Sequence, residues 1–218
     1  MTEPGRFITV EGGEGVGKSS SIEYLREFLA ARGIKVHVTR EPGGTALAEA
    51  IRGLLKNPDM QVDAKAELLL IFAARASHLE EVVRPRLAAG EWVLCDRFTD
   101  ATHVYQGLGR GLGTEPVAWL EDWVQGALRP DLTLLLDAPV DVGFQRADRR
   151  GARDRFEQEA LDFFEQVRSG YLERARLDPD RIRVIDAARE PEQVQFSIEA
   201  VLASWLQQLR KDPASGSP

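Results

Sequence analysis

Residues 7–19 read Phe-Ile-Thr-Val-Glu-Gly-Gly-Glu-Gly-Val-Gly-Lys-Ser, and this stretch decides the fold. Its last eight residues, 12–19, fit the pattern G-x-x-x-x-G-K-[ST] of a phosphate-binding loop. The apolar run before the loop predicts a strand, and apolar residues at helical spacing from Ile22 to Leu29 predict a helix after it. A glycine-rich turn that binds nothing is the alternative, but strand, turn and helix together are the context in which the motif binds phosphate.

The loop predicts a nucleoside triphosphate site. Its glycines let consecutive backbone N–H groups turn toward a polyphosphate, and the following helix adds the positive end of its dipole. Lys18 supplies a charge for the outer phosphates, and the Ser19 hydroxyl is an oxygen ligand suited to the Mg²⁺ that accompanies ATP. The predicted ATP-binding residues are Gly12, Gly13, Glu14, Gly15, Val16, Gly17, Lys18 and Ser19.

Composition restricts the class of protein. The chain has 218 residues, 43% hydrophobic and 29% charged, which suits one soluble domain. Its net charge of −7 argues against a nucleic-acid partner and requires a local basic pocket for any anionic ligand. Cys95 is the only cysteine, and the sequence shows no signal peptide and no apolar stretch long enough to span a membrane. We therefore expect a cytoplasmic protein without membrane contact.

Short apolar runs alternate with longer segments of helical period. The nearly continuous apolar runs predict strands buried on both faces of a parallel sheet, joined by right-handed helical crossovers. The predicted fold class is therefore α/β, a three-layer α/β/α arrangement with ligands at the carboxyl ends of the strands. The predicted strands are Phe7–Glu11, Lys35–Thr39, Trp92–Asp96, Leu132–Asp137 and Arg183–Asp186.

Seven helices are predicted between and after these strands. We expect Pro85 to end or bend the long central helix, because proline lacks the N–H that a helix interior needs. We expect one domain over residues 1–210 and a disordered tail over residues 211–218, which are polar and rich in Pro, Ser and Gly. The predicted helices are Ser19–Arg32, Ala46–Leu55, Ala64–Ala89, Pro116–Leu128, Val140–Ala147, Ala160–Leu177 and residues 190–209.

Two strand ends carry candidate site residues. Residues 39–45 read Thr-Arg-Glu-Pro-Gly-Gly-Thr and lead into a helix with Arg52, which suits a second anionic group, although an ordinary connection fits equally well. The third strand ends in Asp96 and Arg97, a carboxylate placed where phosphate-loop enzymes hold one near Mg²⁺ and a guanidinium suited to phosphate oxygens. A solvated Asp–Arg pair is the alternative interpretation.

A candidate base-binding group follows from side-chain chemistry. Tyr105 offers a flat wall with a polar tip, and the Gln106 amide both donates and accepts, so it can read a base edge. Phe72 and Arg75 lie three residues apart and therefore on one helical face. This pair is either a base platform or a core aromatic residue beside a surface arginine.

Half of the ten residues from 146 to 155 are arginines: Arg146, Arg149, Arg150, Arg153 and Arg155. Such a run is usually a solvated charged face. In a nucleotide enzyme the alternative is a mobile lid, over about residues 146–156, that folds its guanidinium groups onto the phosphates.

Together these motifs resemble the bacterial thymidylate kinases, nucleoside monophosphate kinases that make dTDP from dTMP. The similarity runs from residue 12 to the final amphipathic helix, and residues 39–45, 96–97 and 105–111 carry its most specific motifs. It implies a phosphate-loop nucleoside triphosphate hydrolase-like sheet of five parallel strands in the order 2-3-1-4-5. It also implies a homodimer, with Mg²⁺-ATP as phosphoryl donor and dTMP as acceptor.

The resemblance further implies the residue roles. An arginine pair holds the dTMP phosphate, an aromatic ring stacks on thymine, three polar side chains read its edge, and a tyrosine crowds the sugar 2′ position. Two glutamates lie near the acceptor nucleotide and the metal. The arginine pair is Arg52 and Arg97, and the stacking ring is Phe72. The polar side chains at the base edge are Arg75, Thr102 and Gln106, and the tyrosine at the sugar is Tyr105. The two glutamates are Glu14 and Glu41. The implied metal ligands are Ser19 and Asp96, the latter directly or through water.

The phosphate loop contains no arginine, so the chain resembles the subtype whose lid arginines neutralise the transferred phosphoryl group. The implied catalytic set is Lys18, Asp96, Arg97, Arg149 and Arg153, with Arg153 the first choice within the lid.

One position departs from the family pattern. Many members place the aromatic residue four positions before the arginine, whereas Phe72 is three before Arg75. Ile71 is therefore the alternative occupant of the usual ring position.

Three other functions share the phosphate loop: a GTPase, a kinase for another monophosphate and a non-enzymatic ATP-binding protein. Asn57 is the only asparagine and is followed by proline, which excludes the usual Asn-Lys-x-Asp guanine reader of a GTPase. A kinase for AMP, CMP or UMP would share the loop and lid and differ in its acceptor pocket. A non-enzymatic ATP-binding protein would bind nucleotide without turnover, and the acceptor-side arginines count against it. We therefore expect phosphoryl transfer from ATP to dTMP, a step of dTTP biosynthesis.

Overall fold

Five parallel strands form the centre of the protein. The structure is a computed structural model that describes residues 5–148 and 159–211. Three strands have the predicted bounds, and the other two begin within one residue of the prediction. The strands are β1 (Phe7–Glu11), β2 (Val36–Arg40), β3 (Trp92–Asp96), β4 (Leu132–Asp137) and β5 (Ile182–Asp186).

The order of strands in the sheet is β2-β3-β1-β4-β5, which confirms the expected topology. Because β3 lies between β2 and β1, the carboxyl ends of these three strands are neighbours. Val10 lies opposite Asp96, and Asp96 lies opposite Arg40. The sheet therefore brings the phosphate loop, the loop after β2 and the turn after β3 to one edge, as expected for a ligand site in an open parallel sheet.

Helices flank the sheet. The ends of the predicted helices differ from the observed ones by at most three residues, apart from the long central helix. The α-helices are α1 (Lys18–Ala30), α2 (Ala46–Lys56), α3 (Ala64–His78), α4 (Arg84–Ala88), α5 (Thr99–Thr102), α6 (Thr114–Gln125), α7 (Val140–Asp148), α8 (Leu161–Leu177) and α9 (Pro191–Lys211).

Pro85 does not end the central helix. A π-helical segment, Leu79–Val83, joins α3 to α4, so helical backbone continues to Ala88. Pro85 falls in the first turn of α4, where a missing backbone donor is tolerated best. The helix changes its winding just before the proline instead of stopping there.

Residues 99–109 are helical, which the sequence did not predict, because glycine and β-branched residues are poor helix formers. α5 continues into the π-helical segment His103–Gly109. Close packing against α8 explains Gly109, because a Cβ atom there would lie 2.5 Å from Cε2 of Phe163. Tertiary packing therefore overrides local propensity in this segment.

The largest apolar cluster packs α1 and α9 against one face of the sheet. Ile8, Leu132 and Leu134 are completely buried, and the rings of Trp92 and Trp205 meet edge to face with centroids 5.5 Å apart. β1 is buried along its whole length, as its continuous apolar sequence predicts for a central parallel strand. This packed layer fixes the loops at the carboxyl edge.

Parts of the chain that carry sequence predictions lie outside the described residues. α7 runs through Arg146 to Asp148, where the described range stops, so the lid residues 149–156 fall outside it. α9 extends to Lys211, and the predicted tail beyond it also falls outside. Within residues 5–148 and 159–211, no helix is both long enough and apolar enough to cross a bilayer.

Replacing Leu134 by alanine tests the core. Leu134 is completely buried in the central cluster, so the Leu134→Ala variant should lose about 2–5 kcal/mol of unfolding free energy in urea. Leu177→Ala is the matched control, since that side chain is 68% exposed, and it should change the free energy by less than about 0.5 kcal/mol. Equal effects of the two substitutions would contradict the assignment of β4 to the core.

Candidate functional site

One cleft at the carboxyl edge of the sheet contains most of the predicted site residues. Loop residues from β1, β2 and β3 line it together with parts of α2, α3 and α5. Eight of the nine implied dTMP-binding residues line this cleft: Glu14, Glu41, Arg52, Arg75, Arg97, Thr102, Tyr105 and Gln106. Lys18, Ser19 and Asp96 line it as well, so the donor-side and acceptor-side predictions meet in one place.

The phosphate loop is held tightly against α7. Gly15 has a φ of 71°, in the left-handed region that favours glycine. A Cβ atom on Gly15 would lie 1.8 Å from the carbonyl oxygen of Gly143 in α7, so no other residue fits. The loop conformation therefore depends on the contact with the helix that leads toward the lid segment.

The Lys18 ammonium group lies inside the curve of the loop. Its Nζ donates to the carbonyl oxygens of Gly12 at 3.1 Å and Gly13 at 2.6 Å. Burial and the nearby Arg97 charge lower the pKa of Lys18 to about 8, against partial compensation by neighbouring carboxylates. An anionic ligand would favour the charged form, so this lysine suits a phosphate contact.

Arg97 connects the loop to the cleft. Its φ of 67° is left-handed, a conformation that non-glycine residues rarely adopt. Its guanidinium group donates from Nη1 to Gly12 O at 3.0 Å and to the Tyr171 hydroxyl at 3.3 Å, and from Nη2 to the Glu14 carboxylate. The guanidinium carbon also lies 4.8 Å from the centre of the Tyr105 ring.

The Glu14 carboxylate balances this positive charge. Although burial raises the pKa of Glu14, the charges of Arg97, Lys18 and Lys56 lower it to about 2. Glu14 is therefore ionised at neutral pH. Tyr105 also donates from its hydroxyl to Glu14 at 3.4 Å.

Asp96 and Ser19 are suited to hold Mg²⁺ beside a phosphate. The Oδ1 atom of Asp96 is buried, and no described residue donates a hydrogen bond to it. A buried acceptor without a partner is costly unless a ligand satisfies it. The described residues contain no group of three His, Cys, Asp or Glu side chains that would bind a metal without substrate. Mg²⁺ commonly uses one or two protein oxygens together with phosphate and water, which fits this arrangement.

A buried polar network fixes the loop after β2. The Glu41 carboxylate accepts from Arg75 Nε at 2.7 Å and lies 2.9 Å from His78 Nδ1. Arg75 is only 2% exposed, and its Nη2 donates to Thr102 Oγ1 at 2.8 Å. The positions of Glu41, Arg75 and Thr102 are thus determined together, with Arg75 presented to the cleft.

Two further hydrogen bonds involve residues of this loop. Thr45 Oγ1 accepts from the backbone N–H of Ala48 at 3.1 Å, so Thr45 caps α2. Arg52 Nη1 donates to Pro42 O at 3.0 Å, and burial and Arg40 lower the pKa of this arginine. Arg52 therefore lies at the side of the cleft formed by the loop after β2.

Phe72 is the one implied acceptor-side residue that does not line the cleft. It is 2% exposed and packs in an apolar cluster with Leu68, Val117 and Leu120. Ile71 lines the cleft instead. Both positions share a face with Arg75, and packing of α3 against α6 decides which of them faces the cleft.

The sequence interpretation missed residues that position the site. Glu11, at the end of β1, accepts from Phe98 N and from the Tyr171 hydroxyl, both at 2.7 Å. Glu67 accepts from Gln106 Nε2 at 2.7 Å. A carboxylate at the end of an apolar strand was a visible signal for Glu11, whereas nothing in the sequence pairs Tyr171 or Glu67 with these partners.

The lid arginines Arg149 and Arg153 lie outside the described residues. Arg146, just before that segment, donates from Nη1 to Ala187 O at 2.7 Å.

A model of the family described as thymidylate kinase matches residues 10–198 of the chain. The chain belongs to the thymidylate kinase family.

Curated thymidylate kinases from several bacteria are similar over almost the whole chain. The protein from Pseudomonas savastanoi pv. phaseolicola is 58% identical over 204 residues, covering 93% of this chain and 97% of that protein. The one from Methylococcus capsulatus is 56% identical over 203 residues, which cover 93% of this chain and 97% of that protein. The one from Ectopseudomonas mendocina is 58% identical over 207 residues, which cover 94% of this chain and 99% of that protein.

These comparisons confirm the resemblance drawn from the motifs. Membership of the thymidylate kinase family makes the chain a nucleoside monophosphate kinase, a phosphotransferase that uses ATP. The sheet order expected for such a kinase is also the order observed.

The pH dependence of stability tests the role of Glu11. Burial and the nearby Asp100 charge raise the pKa of Glu11 to about 7, from 4.5 in the unfolded chain. Between these values the folded state binds a proton that the unfolded state lacks, so stability falls as pH rises from about 4.5 to 7. Glu11→Gln keeps an acceptor for Phe98 and removes the titration. Relative to this variant, the wild-type protein should lose on the order of 2 kcal/mol across that window.

Urea unfolding at closely spaced pH values measures this difference. The unfolding free energy is plotted against pH for the wild-type protein and for Glu11→Gln. If the two curves stay parallel, Glu11 does not titrate in this range.

Proposed function

We propose that this thymidylate kinase family member transfers the γ-phosphoryl group of Mg²⁺-ATP to dTMP, giving dTDP and ADP. The observation that carries the proposal is the position of Arg97. Its guanidinium group contacts the phosphate loop at Gly12 O and lines the acceptor cleft at the same time. A ligand phosphate on the loop and a second phosphate in the cleft would therefore meet at this side chain.

Charge neutralisation is the main task of the protein in such a transfer. The acceptor phosphate is already ionised at neutral pH, so no general base is needed, and positioning and electrostatics dominate. Lys18, Arg52 and Arg97 gather positive charge in the cleft of a chain with a net charge of −7. They offset the repulsion between the two anions that must approach each other.

The metal would be held by Ser19 and Asp96, with Asp96 acting directly or through water. When bound, Mg²⁺ would supply positive charge against the negative charge that develops on the phosphates. The buried Asp96 Oδ1 atom, which no described residue satisfies, supports this assignment.

The acceptor nucleotide would place its base at the inner end of the cleft. Arg75, Thr102 and Gln106 line the cleft and are the polar residues suited to the base edge. Ile71, and not Phe72, presents an apolar side chain to the same space, so we assign the base contact to Ile71. Tyr105 would face the sugar.

The two glutamates differ in role. Glu14 lies beside Arg97 and Tyr105, where it can contact the acceptor sugar. Glu41 is 4% exposed and is bound to Arg75, so it would act by orienting that arginine.

The lid arginines complete the proposal. Arg149 and Arg153 would neutralise the transferred phosphoryl group, because the phosphate loop itself contains no arginine. The contact between Gly15 and Gly143 supports a connection between the loop and the helix that leads to this segment. Closure would also exclude water that hydrolyses ATP.

Turnover of dTMP tests the function. Coupled ADP-release assays should show ATP-dependent phosphorylation of dTMP in preference to UMP, AMP and CMP. Lys18→Ala should lose most of this turnover, on the order of 10²-fold or more, because the charge at the outer phosphates is removed. Lys35→Ala, whose side chain is 79% exposed, is the control and should retain turnover.

Near-normal turnover in folded Lys18→Ala would refute phosphoryl transfer on this loop. If the enzyme preferred another monophosphate, it would still be a kinase, but the assignment of dTMP as the acceptor would be wrong.

We also propose that the protein is a cytoplasmic homodimer. The dimer rests on the family resemblance and is supported by an exposed aromatic pair on α6. Trp119 and Trp123 are 64% and 73% exposed, and their rings stack with centroids 5.7 Å apart. Exposed tryptophans so arranged are typical of an interface. The reducing cytoplasm suits a chain whose single cysteine, Cys95, is free and buried.

Sedimentation velocity tests the dimer. The wild-type protein should sediment with twice the mass of the chain, and the Trp119→Ala/Trp123→Ala double variant should shift toward the monomer because it loses apolar contact area. Phe196→Ala, at a position 74% exposed on α9, is the control and should remain dimeric. A monomeric wild-type protein would contradict the proposal.

A further inference from the structure

Glu67 is a buried carboxylate behind the wall of the cleft. It lies on α3, is completely buried, and is not among the residues that line the cleft. Its Oε1 atom accepts from Nε2 of Gln106, which does line the cleft, at 2.7 Å. Gln106 therefore lies between Glu67 on one side and the ligand space on the other.

We propose that Glu67 is a positioning residue that fixes the orientation of the Gln106 amide and thereby selects a pyrimidine with an N–H group at ring position 3. The inference rests on the proposed function, because it assumes that the acceptor base occupies the cleft beside Gln106.

The chemistry of an amide explains the selection. A glutamine side chain presents a donor nitrogen on one side and an acceptor oxygen on the other, and rotation by 180° exchanges them. An ionised carboxylate has only acceptor oxygens. The reversed amide would bring two acceptor oxygens together in a buried site, which is unfavourable.

Arg110 reinforces the position of Glu67. Its Nε donates to the same Oε1 atom at 3.2 Å, and its Nη1 donates to Glu159 at 2.6 Å. Glu67 is thus kept as an acceptor, and the nitrogen of Gln106 is kept turned toward it.

The orientation determines what the base must offer. With its nitrogen on Glu67, Gln106 presents its Oε1 atom to the cleft, where it can accept from the N3–H group of thymine. In 5-methylcytosine the N3 atom carries a lone pair instead, so two acceptors would face each other. The two bases share the methyl group and the ring shape, so the comparison isolates the hydrogen-bond edge.

The test compares kcat/KM for dTMP and for 5-methyl-dCMP in the full-length enzyme with Mg²⁺-ATP. The wild-type enzyme should strongly prefer dTMP. In Glu67→Gln the amide at position 67 can donate as well as accept, so Gln106 is free to turn. The ratio of the two kcat/KM values should fall by about tenfold or more, through loss with dTMP and gain with 5-methyl-dCMP.

Glu159→Gln is the matched control. It neutralises a second carboxylate that accepts from Arg110, whereas the hydrogen bond from Gln106 goes to Glu67. Its substrate ratio should therefore equal that of the wild-type enzyme, whatever happens to the overall rate.

Each outcome either supports or overturns the inference. Equal losses with both substrates in Glu67→Gln would show a merely structural role and overturn it. A wild-type enzyme that does not phosphorylate dTMP would instead refute the proposed function. If Glu67→Gln does not fold, Glu67→Met, of similar length and without an acceptor for the amide, takes its place.

A measurement on the wild-type enzyme covers the case in which neither variant folds. A dTMP analogue with C–H in place of N3–H should lose about tenfold or more in kcat/KM. An unchanged value would show that no acceptor reads this position, and the inference would be wrong.

Discussion

The site depends on Arg97, a residue held in a left-handed backbone conformation at the end of β3. Its φ of 67° turns the guanidinium group back over the phosphate loop, and Glu11 stabilises the turn by accepting from the next backbone N–H at 2.7 Å. Tyr171 joins Glu11 and Arg97, so α8 also contributes. This arrangement requires β1 and β3 to be neighbours, and the strand order of the sheet provides that. The strand order thus brings Arg97 to the phosphate loop.

Electrostatics explain why an acidic protein can bind two anions. Lys18 and Arg97 repel each other, and together with burial this lowers the pKa of Lys18 to about 8. Glu14 partly balances the excess, since it is ionised and bound to Arg97. A bound phosphate would supply the remaining negative charge in a place shielded from solvent, where such interactions are strong. The positive charge of the site is therefore local, whereas the net charge of −7 is the sum over the whole chain.

Local patterns predicted the fold and many of the residues that line the cleft. The phosphate loop, the strands and Asp96–Arg97 could be found because each lies within a short segment with a clear spacing. Contacts between distant residues could not: Glu67 and Gln106 are 39 positions apart, and Glu11 and Tyr171 are 160 apart. The assignment of Phe72 shows the limit of periodicity, since Ile71 shares its helical face. The helical segment at 99–109 was missed because Gly109 serves packing against α8, which composition does not reveal.

A structure of the protein crystallised with dTMP tests the central claim most directly. The account predicts that the terminal oxygens of the monophosphate lie about 3 Å from the guanidinium nitrogens of Arg97, a hydrogen-bonding distance. It also predicts that the pyrimidine ring lies beside Arg75 and Gln106. A phosphate bound beyond hydrogen-bonding reach of Arg97, with that guanidinium still paired to Glu14, would contradict the account.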